Sequence, residues 1–422
     1  MPDTGLLSDA ARTATVVAGA VVVIGLGYVG LPIALEAAAA GFAVTGFDLD
    51  PAAARAAEAA GHGREGPGRL TATADPRRLP RAETWLICVP TPLDAAGQPD
   101  LSLVVAALGT CRAGLAPGAL VCLVSTCQPG ATNGLCRREL ESDGLRVGHD
   151  LFLAVSPERE NPGAAAPGPR HTPRLLGAPD PASLARARTF WDRITDRVVP
   201  VASPEIAECA KLLENTYRLV NIALIDELHR GFAALGVPTR AVVAAAATKP
   251  FGFAPFWPGA GAGGHCIPID PAFLQMELSR AGAASTLLAA AAEANRARPA
   301  RILGAMERAM GGSLAGRRIL MLGVTYKPDV PDLRGAAPVA LLRAMAERGA
   351  EACWHDHVVG ESPEALHGLR RIRDVGALAP DAVILGTPHR DYDFARIAVS
   401  APLVFDPFGL LPSDQAGRVR VV

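Results

Sequence analysis

The stretch VVVIGLGYVG at residues 21–30 decides the fold at the start of this chain. An apolar run leads into a Gly-x-Gly-x-x-Gly pattern formed by Gly25, Gly27 and Gly30, and a helical apolar pattern follows. In a β-α-β unit, the first glycine permits the tight turn and the second lets the backbone approach a pyrophosphate. The third allows close packing of helix on strand. We therefore predict a strand, a turn and a helix over residues 21–40, with a dinucleotide at the turn.

An acid at the right distance strengthens this prediction. Asp48 ends the next apolar run, about 20 residues beyond the glycines, where a carboxylate binds the ribose hydroxyls. A carboxylate repels the 2′-phosphate of NADP, so NAD is the expected cofactor, although Arg55 is near in sequence and would suit NADP. The alternative is a purely structural glycine-rich turn. A membrane span over the uncharged residues 16–35 is a further alternative, but four glycines and Pro32 interrupt that run.

Composition narrows the class of protein. A length of 422 residues suggests two or three domains, and a net charge of −1 argues against nucleic acid or an anionic membrane as the main partner. The N-terminus lacks the basic and apolar regions of a signal peptide. The cysteines form no CxxC pair and no disulfide framework, so we expect a reduced, cytoplasmic chain and no metal site. The eight cysteines lie at positions 88, 111, 122, 127, 136, 209, 266 and 353.

Strands that alternate with helices predict an α/β fold with parallel, doubly wound sheets. After a loose tail at residues 1–19, we expect an NAD-binding Rossmann domain over residues 20–202. A central helical domain over residues 203–312 follows, and a second Rossmann-like domain occupies residues 313–422. The second domain has Gly323 at its first turn but no Gly-x-Gly-x-x-Gly pattern, so we expect no second complete dinucleotide site there.

A long helix is predicted at the start of the central domain. Ser203-Pro204-Glu205 supplies a hydroxyl N-cap, a proline at the first helical position and an acid in the first turn. Gly236 is a plausible end, which gives a helix of about 30 residues and about 45 Å. This length suits a spine between two domains, and the helix could support a dimer interface. Apolar residues recur along it at 206, 210, 213, 217, 220, 224 and 228.

The segment WPGAGAGGHCIPIDPAF at residues 257–273 carries the candidate nucleophile. It places Cys266 in a glycine-rich loop just before a predicted helix start at Asp270-Pro271, where the helix dipole favours a thiolate. Its glycines would let a substrate approach the backbone. A thiol beside a nicotinamide suits an oxidation that passes through a thiohemiacetal and a thioester to a carboxylate. The structural alternatives are a small buried cysteine and, for Asp270, a helix N-cap.

Lys211 and Asn215 are four residues apart and therefore share one face of the predicted long helix. A lysine and an amide that point into one cleft could hold a developing oxyanion, and the lysine could also shuttle a proton. The alternative is an ordinary solvated helix face.

Taken together, these pieces resemble the UDP-glucose/GDP-mannose 6-dehydrogenase family from about residue 20 to about residue 410. The resemblance implies four-electron oxidation of the C6 hydroxymethyl group of a nucleotide sugar to a uronate, with two NAD⁺. It also implies a UDP-sugar held by the third domain and a homodimer, or a larger assembly, through the central helix. The matching segments are VVVIGLGYVGLP (21–32), CVPTPL (88–93), STCQPGAT (125–132), SPERENPG (156–163), AKLLENTYRLVNIALIDEL (210–228), GGHCIPIDP (263–271) and GVTYKPDVPDLR (323–334).

The resemblance also implies residue roles. Cys266 matches the thiol that forms both covalent adducts, and Lys211 and Asn215 match the residues that stabilise the oxyanion or move the proton. Asp270 matches the acid that positions or activates water. Glu158 and Thr126 match polar residues around that water and the reacting carbon. For NAD the expected residues are Gly25, Gly27, Tyr28, Val29, Gly30, Asp48, Pro90, Thr91, Thr126 and Arg334. For the substrate they are Glu158, Arg159, Lys211, Asn215, Gly263, His265, Tyr326 and Lys327.

Departures from the family pattern bear on the substrate. UDP-glucose enzymes typically carry a phenylalanine after the cysteine and a lysine before the aspartate, whereas this chain has Ile267 and Ile269. GHCIPIDP at residues 264–271, with KPFGF at residues 249–253, resembles the branch that oxidises UDP-N-acetylhexosamines. His265 could assist the thiol, contact the sugar or be structural. The alternatives are UDP-glucose or another nucleotide sugar as the substrate, a non-catalytic NAD-binding scaffold, and a two-electron dehydrogenase that makes no use of the thiol.

Two further departures lie near the family's substrate or subunit contacts. GAAP at residues 335–338 replaces the usual Glu-Ser-Pro, and VFDPFG at residues 404–409 lacks the usual arginine or asparagine. The sugar or the neighbouring subunit is therefore expected to differ from the family's commonest case. The configuration of the sugar at C2 and C4 leaves no readable motif, because it depends on the shape of the pocket.

Overall fold

The computed structural model describes residues 19–62, 67–159, 168–360, 363–412 and 417–422. The expected loose tail lies outside this part, except for its last residue. The chain divides into two compact units. Residues up to Lys211 form the first unit, apart from residues 95–98, which group with the second unit from Leu212 onward. In the described ranges, no helix has the length and apolar character needed to cross a membrane.

The first unit is built on a parallel sheet with helices on both faces. In chain order, the elements are β1 (Ala20–Ile24), α1 (Gly30–Ala39), β2 (Ala43–Phe47), α2 (Pro51–His62), β3 (Arg69–Thr73), β4 (Ala82–Ile87), α3 (Ser102–Gly114), β5 (Leu115–Leu123), α4 (Arg137–Glu141) and β6 (Phe152–Val155). The sheet order is β3-β2-β1-β4-β5-β6, and all pairs are parallel. This is the order of doubly wound dinucleotide-binding domains, and the strand order reverses between β1 and β4.

The core of the first unit lies on both faces of this sheet. Along β1, Val22 and Ile24 pack into one buried cluster, whereas Val21 and Val23 pack into the other. Both faces are covered, which is why the strands are continuous apolar runs instead of alternating ones. The unit continues with β7 (Arg174–Leu176), α5 (Pro181–Ile194) and β8 (Val198–Pro200), and β7 pairs with β8 in parallel.

The predicted long helix is present as α6 (Pro204–Ala234), with 31 residues. It begins in the first unit and continues into the second. Proline at its first position and Gly236 two residues beyond its end, at φ +72°, mark its limits as the sequence predicts.

The second unit contains helices and a second parallel sheet. Its helices before the sheet are α7 (Thr239–Ala246), α8 (Asp270–Arg280), α9 (Thr286–Arg296) and α10 (Arg298–Ala309). The sequence from residue 270 to residue 309 thus forms three separate helices. Gly282 at φ +74° follows the first of them, and the Ser285 hydroxyl accepts from the Leu288 N–H at the start of the next. A proline near the start of α10 separates the third.

The second sheet repeats the topology of the first. Its elements are β9 (Arg318–Leu322), α11 (Ala337–Glu347), β10 (Glu351–His355), β11 (Arg370–Arg371), β12 (Ala382–Leu385), α12 (Phe394–Ala398), β13 (Leu403–Asp406) and β14 (Val419–Val421). The order is β11-β10-β9-β12-β13-β14, with parallel pairs and apolar clusters on both faces. The predicted α/β fold with two Rossmann-like sheets and a helical region between them is confirmed.

Candidate active site

The glycines after β1 form a turn that leaves room for a ligand. Gly25 has φ +90°, and a Cβ there would lie 2.7 Å from the Cys88 carbonyl oxygen. A Cβ on Gly30 would lie 1.8 Å from the Gly25 oxygen, so helix packing excludes any side chain. At Gly27 a Cβ would meet no atom within 4 Å. Contacts of the described residues therefore do not require glycine at position 27, whereas a pyrophosphate on the helix N-terminus would.

Asp48 directly follows β2 and is half-buried beside this turn. One carboxylate oxygen accepts from the Leu26 N–H at 2.8 Å, and the other accepts from the Asp50 N–H at 2.9 Å. A carboxylate offers about four acceptor positions, so these two bonds leave capacity for ribose hydroxyls. The acid predicted to bind ribose thus also fixes the turn that would hold the phosphates.

The segments after β4 and β5 are joined at the same edge of the sheet. The Thr91 hydroxyl, 5% exposed, donates to the Thr126 carbonyl at 2.8 Å, and the Ser125 hydroxyl donates to the Val89 carbonyl at 2.7 Å. The carboxyl ends of all the parallel strands lie at this edge of the sheet. A cofactor usually binds at the point of the edge where the strand order reverses. Pro90 precedes Thr91, and Tyr28 lies exposed on the neighbouring turn.

Glu158 follows β6 and is 8% exposed. Its carboxylate lies 3.5 Å from an Arg174 nitrogen and accepts from the Arg159 N–H at 2.7 Å. Arg174 is itself buried and stacks on Trp191 at 4.4 Å. The Arg159 guanidinium donates to the Pro173 carbonyl. The carboxylate is therefore held in a fixed, charge-compensated position at the same edge of the first sheet.

Lys211 and Asn215 are buried on α6, with 7% and 4% of each residue exposed. The alternative of a solvated helix face is therefore wrong. Asn215 donates from Nδ2 to Asp270 Oδ2 at 2.6 Å, and Asp270 is 4% exposed. A buried amide and a buried carboxylate thus form a pair in the second unit.

The loop before α8 differs in detail from its sequence prediction. The N-cap position of α8 is Ile269, and Asp270 is the first helical residue. The interpretation of Asp270 as an N-cap is therefore wrong, because its side chain instead pairs with Asn215. The Asp270 and Ile269 N–H groups donate to the Cys266 carbonyl at 2.9 and 3.2 Å, which places the thiol-bearing residue at the turn into the helix.

The glycines of this loop pack against the chain itself. A Cβ on Gly263 would lie 2.6 Å from the Gly335 oxygen, and one on Gly264 would lie 2.9 Å from the Tyr326 ring. Gly264 also donates to the Arg334 carbonyl at 3.1 Å. Close contact with the segment after β9 accounts for glycine at these two positions, in addition to any approach of a substrate.

Exposure distinguishes Cys266 from most other cysteines. All eight cysteines fall in the described ranges and none of them forms a disulfide bond, and among them only Cys209 and Cys266 are exposed. Burial raises the pKa of Cys122 and of Cys136 to about 12. The pKa of Cys209 is raised by partial burial and then by Glu208 and Glu205. Burial thus accounts for the low reactivity expected of Cys122 and Cys136.

The segment after β9 carries the remaining predicted residues. Tyr326 donates its N–H to the Asp332 carbonyl at 3.0 Å. Partial burial lowers the pKa of Lys327, and nearby Arg218 lowers it further. Arg334 forms a salt bridge with Asp332, in which its Nη2 lies 2.7 Å from the carboxylate. The pKa of His265 is lowered by burial and then by Arg334, against an opposing effect of Asp332, so its neutral form is favoured.

Three side chains that organise these segments, two acids and one amide, were not predicted from the sequence. Glu208, 2% exposed, accepts from the Gly130 N–H and from both the N–H and hydroxyl of Thr132. Asp332 orients Arg334, and Asn295 bonds both polar backbone groups of Ala262 at 2.7 and 3.0 Å. Their partners lie far away in sequence or on loops, so spacing alone carried no signal for Glu208 and Asn295. The nearby pair Asp332 and Arg334 was visible as DLR.

One group of side chains in the described ranges has the types that bind metals. Atoms of Asp329, His357 and His389 lie within 4.8 Å of one another. However, His389 Nδ1 accepts from the Asp329 N–H at 3.0 Å, and its Nε2 lies 3.0 Å from Asp356 Oδ2. Both ring nitrogens are therefore engaged, and we assign no metal to this group.

Three successive parts of the chain match three domains of one protein family. Residues 19–195 match the NAD binding domain of the UDP-glucose/GDP-mannose dehydrogenase family. Residues 205–297 match its central domain, and residues 320–413 match its UDP binding domain.

Individual relatives match over nearly the whole chain. A UDP-N-acetyl-D-glucosamine 6-dehydrogenase of Pseudomonas aeruginosa is 33% identical over 94% of this chain and 98% of its own. Protein CapL of Staphylococcus aureus is 30% identical over 94% and 97% of the two chains. The solved structure of a UDP-D-ManNAc dehydrogenase from Pyrococcus horikoshii has a TM-score of 0.82 and 27% identity, and covers 96% of this chain and 99% of that one.

Proposed function

Since this chain belongs to the UDP-glucose/GDP-mannose dehydrogenase family and is an NAD-dependent nucleotide-sugar dehydrogenase, we propose that it oxidises the C6 hydroxymethyl group of a UDP-N-acetylhexosamine to a carboxylate. The observation that carries the chemistry is the buried Asn215–Asp270 pair, in the same unit as the turn that bears an exposed Cys266. Burying an amide and a carboxylate is costly, so such a pair is typical of a site that handles charge.

The proposed reaction proceeds in four steps. The alcohol first loses a hydride and a proton to become an aldehyde. The Cys266 thiol adds to the aldehyde carbon, which gives a thiohemiacetal. Loss of a second hydride and a proton yields a thioester, and water then cleaves the C–S bond to release the uronate and the thiol. NAD⁺, when bound, supplies the hydride acceptor for each oxidation, so two equivalents are consumed per sugar.

The protein's own groups have separate proposed roles. Lys211 and Asn215 stabilise the developing oxyanion and move the proton, because both are buried on one face of α6. Asp270 positions the hydrolytic water, and Glu158 and Thr126 contact that water or the reacting carbon. The hydrogen bond between Asn215 and Asp270 fixes that pair, and the Arg159 N–H and Arg174 hold Glu158, which favours a preorganised site.

We place the cofactor on the edge of the first sheet and the nucleotide on the second. The open position at Gly27 and the remaining acceptor capacity of Asp48 support NAD binding at the first edge. The other NAD contacts are proposed at Gly25, Tyr28, Val29, Gly30, Pro90, Thr91, Thr126 and Arg334. The substrate contacts are proposed at Glu158, Arg159, Lys211, Asn215, Gly263, His265, Tyr326 and Lys327. For the three domains we keep the boundaries proposed from the sequence, at residues 20–202, 203–312 and 313–422.

The choice of sugar rests on the relatives and on the loop sequence. The relative with 33% identity is named for UDP-N-acetyl-D-glucosamine, and the similar solved structure for UDP-D-ManNAc. GHCIPIDP at residues 264–271 agrees with that branch. The second candidate is UDP-glucose, the substrate in the family's own name.

A homodimer through α6 is proposed from an exposed apolar stripe. Leu213, Tyr217, Leu224 and Leu228 are 61%, 49%, 51% and 40% exposed. Their spacing of 4, 7 and 4 residues puts them on one side of the helix, as in helix pairs that pack along a seam. An exposed contiguous apolar surface of this kind marks a contact with another protein. The cysteine spacing, which offers no CxxC pair and no disulfide framework, supports a reducing compartment such as the cytoplasm.

The test of substrate class is a panel of five nucleotide sugars. UDP-GlcNAc, UDP-ManNAc, UDP-GalNAc, UDP-glucose and GDP-mannose are each supplied with excess NAD⁺, and the product is analysed by mass. The proposal predicts a uronate from at least one N-acetylated UDP donor. Turnover of UDP-glucose alone would overturn the substrate assignment and keep the chemistry. Binding of NAD without turnover of any donor would overturn the proposed activity.

A further inference from the structure

A cavity of about 220 Å³ in the second unit is lined mainly by charged side chains from two helices. The lining residues of α6 and of α10 recur at helical spacing, so each helix contributes one face. Val421 and Val422 complete the lining. Water occupies about 30 Å³ per molecule in the liquid, so the volume exceeds that of a single water site. The residues that bear on its chemistry are Asp226, His229, Arg230, Arg298, Arg301 and Arg308.

Two of the lining residues each carry a buried polar atom that has no hydrogen-bond partner in the described part of the chain. Asp226 is 5% exposed, and its Oδ1 accepts from the Gly259 N–H at 2.9 Å, whereas its Oδ2 has no such partner. His229 is 2% exposed, and its Nδ1 is bonded to the Thr239 hydroxyl at 2.7 Å, whereas its Nε2 is unpartnered. Buried polar atoms are normally satisfied, so the Asp226 and His229 side chains are poorly compensated where they lie beside the cavity.

The charge of the lining indicates an anion. Arg298 is 3% exposed and donates to the Gly259 carbonyl at 3.0 Å and to the Val422 carbonyl at 2.8 Å. Four arginines face only two acids, Asp226 and Glu227, among the lining side chains. Arg298 is buried and Arg301 is half-buried, whereas Arg230 and Arg308 are exposed. An anion between such guanidinium groups reduces their mutual repulsion.

We propose that this cavity binds a small phosphate-bearing anion, either inorganic phosphate or a phosphomonoester. Its oxygens accept hydrogen bonds from the arginine guanidinium groups of the lining. The binding itself goes beyond the proposed oxidation and does not depend on it.

The position of the cavity connects it to the loop that carries Cys266. Asp226 and Arg298 hold the N–H and the carbonyl of Gly259, which begins the glycine-rich run toward the thiol. Asn295 fixes Ala262 farther along the same run. An anion that orders Asp226 and Arg298 therefore also steadies the start of this loop.

The first test measures phosphate binding by calorimetry in the full-length protein. Saturating NAD⁺ and UDP occupy the sites that would otherwise take phosphate, and chloride keeps the ionic strength constant. We expect saturable binding by the unaltered protein and a loss of about tenfold or more in affinity in Arg230→Gln and in Arg301→Gln. Arg396→Gln, an exposed arginine outside the cavity lining, is the matched control and keeps its affinity.

The Asp226→Asn variant is expected to change the affinity for phosphate in the opposite direction from the arginine variants. Asparagine keeps the acceptor for Gly259 and replaces the unpartnered acidic oxygen with an amide donor, so we expect phosphate to bind about fivefold more tightly. Glycerol 3-phosphate is titrated in parallel, because tighter binding than phosphate identifies a phosphomonoester site and weaker binding identifies a site for free phosphate. Absence of binding in the unaltered protein, or equal affinity in all four variants, would overturn the proposal.

The link to the loop has its own readout. The rate of Cys266 alkylation by iodoacetamide is followed by peptide mass analysis, with the exposed Cys209 as an internal reference. Phosphate is expected to slow modification of Cys266 relative to Cys209 in the unaltered protein and in Arg396→Gln, but not in Arg301→Gln. An identical effect of phosphate on both cysteines would contradict the link.

Discussion

At the scale of single residues, the thiol of Cys266 is the group on which the proposed chemistry depends most. It lies exposed at the turn into α8, where its carbonyl accepts from two N–H groups of that helix start. Helix N-termini favour anions, so the same position favours the thiolate that must attack an aldehyde. In the proposed reaction, the other side chains of the site position charge or water, whereas this sulfur forms the covalent bond.

Replacement of this thiol separates oxidation from cofactor binding. We expect Cys266→Ala to form no uronate while its dissociation constant for NAD stays within about twofold of the unaltered value, because no cofactor contact is removed. Cys209→Ala, the other exposed cysteine, is the control and retains uronate formation. Product analysis and NAD fluorescence titration give the two readouts. Full uronate production by Cys266→Ala would exclude the covalent mechanism.

The carboxylate after β2 allows a second test at this scale. We expect Asp48→Asn to weaken NAD binding about tenfold, equivalent to about 1.4 kcal/mol, because ribose hydroxyls lose a charged acceptor. Asparagine can still accept from the Leu26 N–H, so the turn is retained. UDP binding, measured in the same preparation, should not change. An unchanged affinity for NAD would remove Asp48 from the cofactor site.

Local motifs and long-range pairs differ in how well they can be predicted from sequence. The glycine turn and Asp48 were predictable because their geometry is set within one β-α-β unit. The Asn215–Asp270 contact joins residues 55 positions apart, and only folding brings them together. Lys211 and Asn215 have the spacing of an ordinary surface pair, so their burial was not visible either. The resemblance to a family suggested the roles of both, which spacing alone did not provide.

At the scale of elements, α6 contributes groups of different character on different sides. Its apolar side chains were predicted as a stripe, yet Leu213, Leu224 and others of that stripe are exposed, whereas Asp226 and His229 are buried. Helical periodicity locates faces but does not say which face meets the protein and which meets solvent or a partner. The helix limits themselves were predictable from Ser203-Pro204-Glu205 and Gly236.

The burial of Asp226 predicts a pH-dependent change in stability. Burial raises its pKa to about 6 from 3.8 in spite of Arg298, the Gly259 N–H and Arg301. An acid with a raised pKa binds its proton more tightly in the folded state, so its contribution is favourable below the unfolded pKa and is lost as pH rises through about 6. Asp226→Asn does not titrate. The free energy of unfolding of Asp226→Asn, taken relative to that of the unaltered protein, should therefore increase from pH 4 to pH 7.5, by at most about 3 kcal/mol.

Urea unfolding at the two pH values, without phosphate, measures this difference. Asp192→Asn, an exposed acid on α5, serves as the control with little expected change. A stability difference between Asp226→Asn and the unaltered protein that is the same at both pH values would show that Asp226 does not titrate in the expected range.

At the scale of the whole molecule, the exposed stripe on α6 predicts self-association. We expect Leu224→Asp to convert a dimer to a monomer in sedimentation analysis, because a charge at the centre of an apolar seam is desolvated without a partner. Leu287→Asp, at a leucine that is 64% exposed on α9, is the matched control and leaves the assembly unchanged. A dimer that persists in Leu224→Asp would place the subunit contact elsewhere.

The central claim is that this protein removes four electrons from each sugar, and the yield of NADH tests it most directly. A limiting amount of UDP-GlcNAc, or of whichever N-acetylated UDP donor is turned over, is consumed to completion with excess NAD⁺, and NADH is measured by absorbance. We expect two NADH and one uronate per sugar. One NADH per sugar, with an aldehyde or ketone as the product, would contradict it.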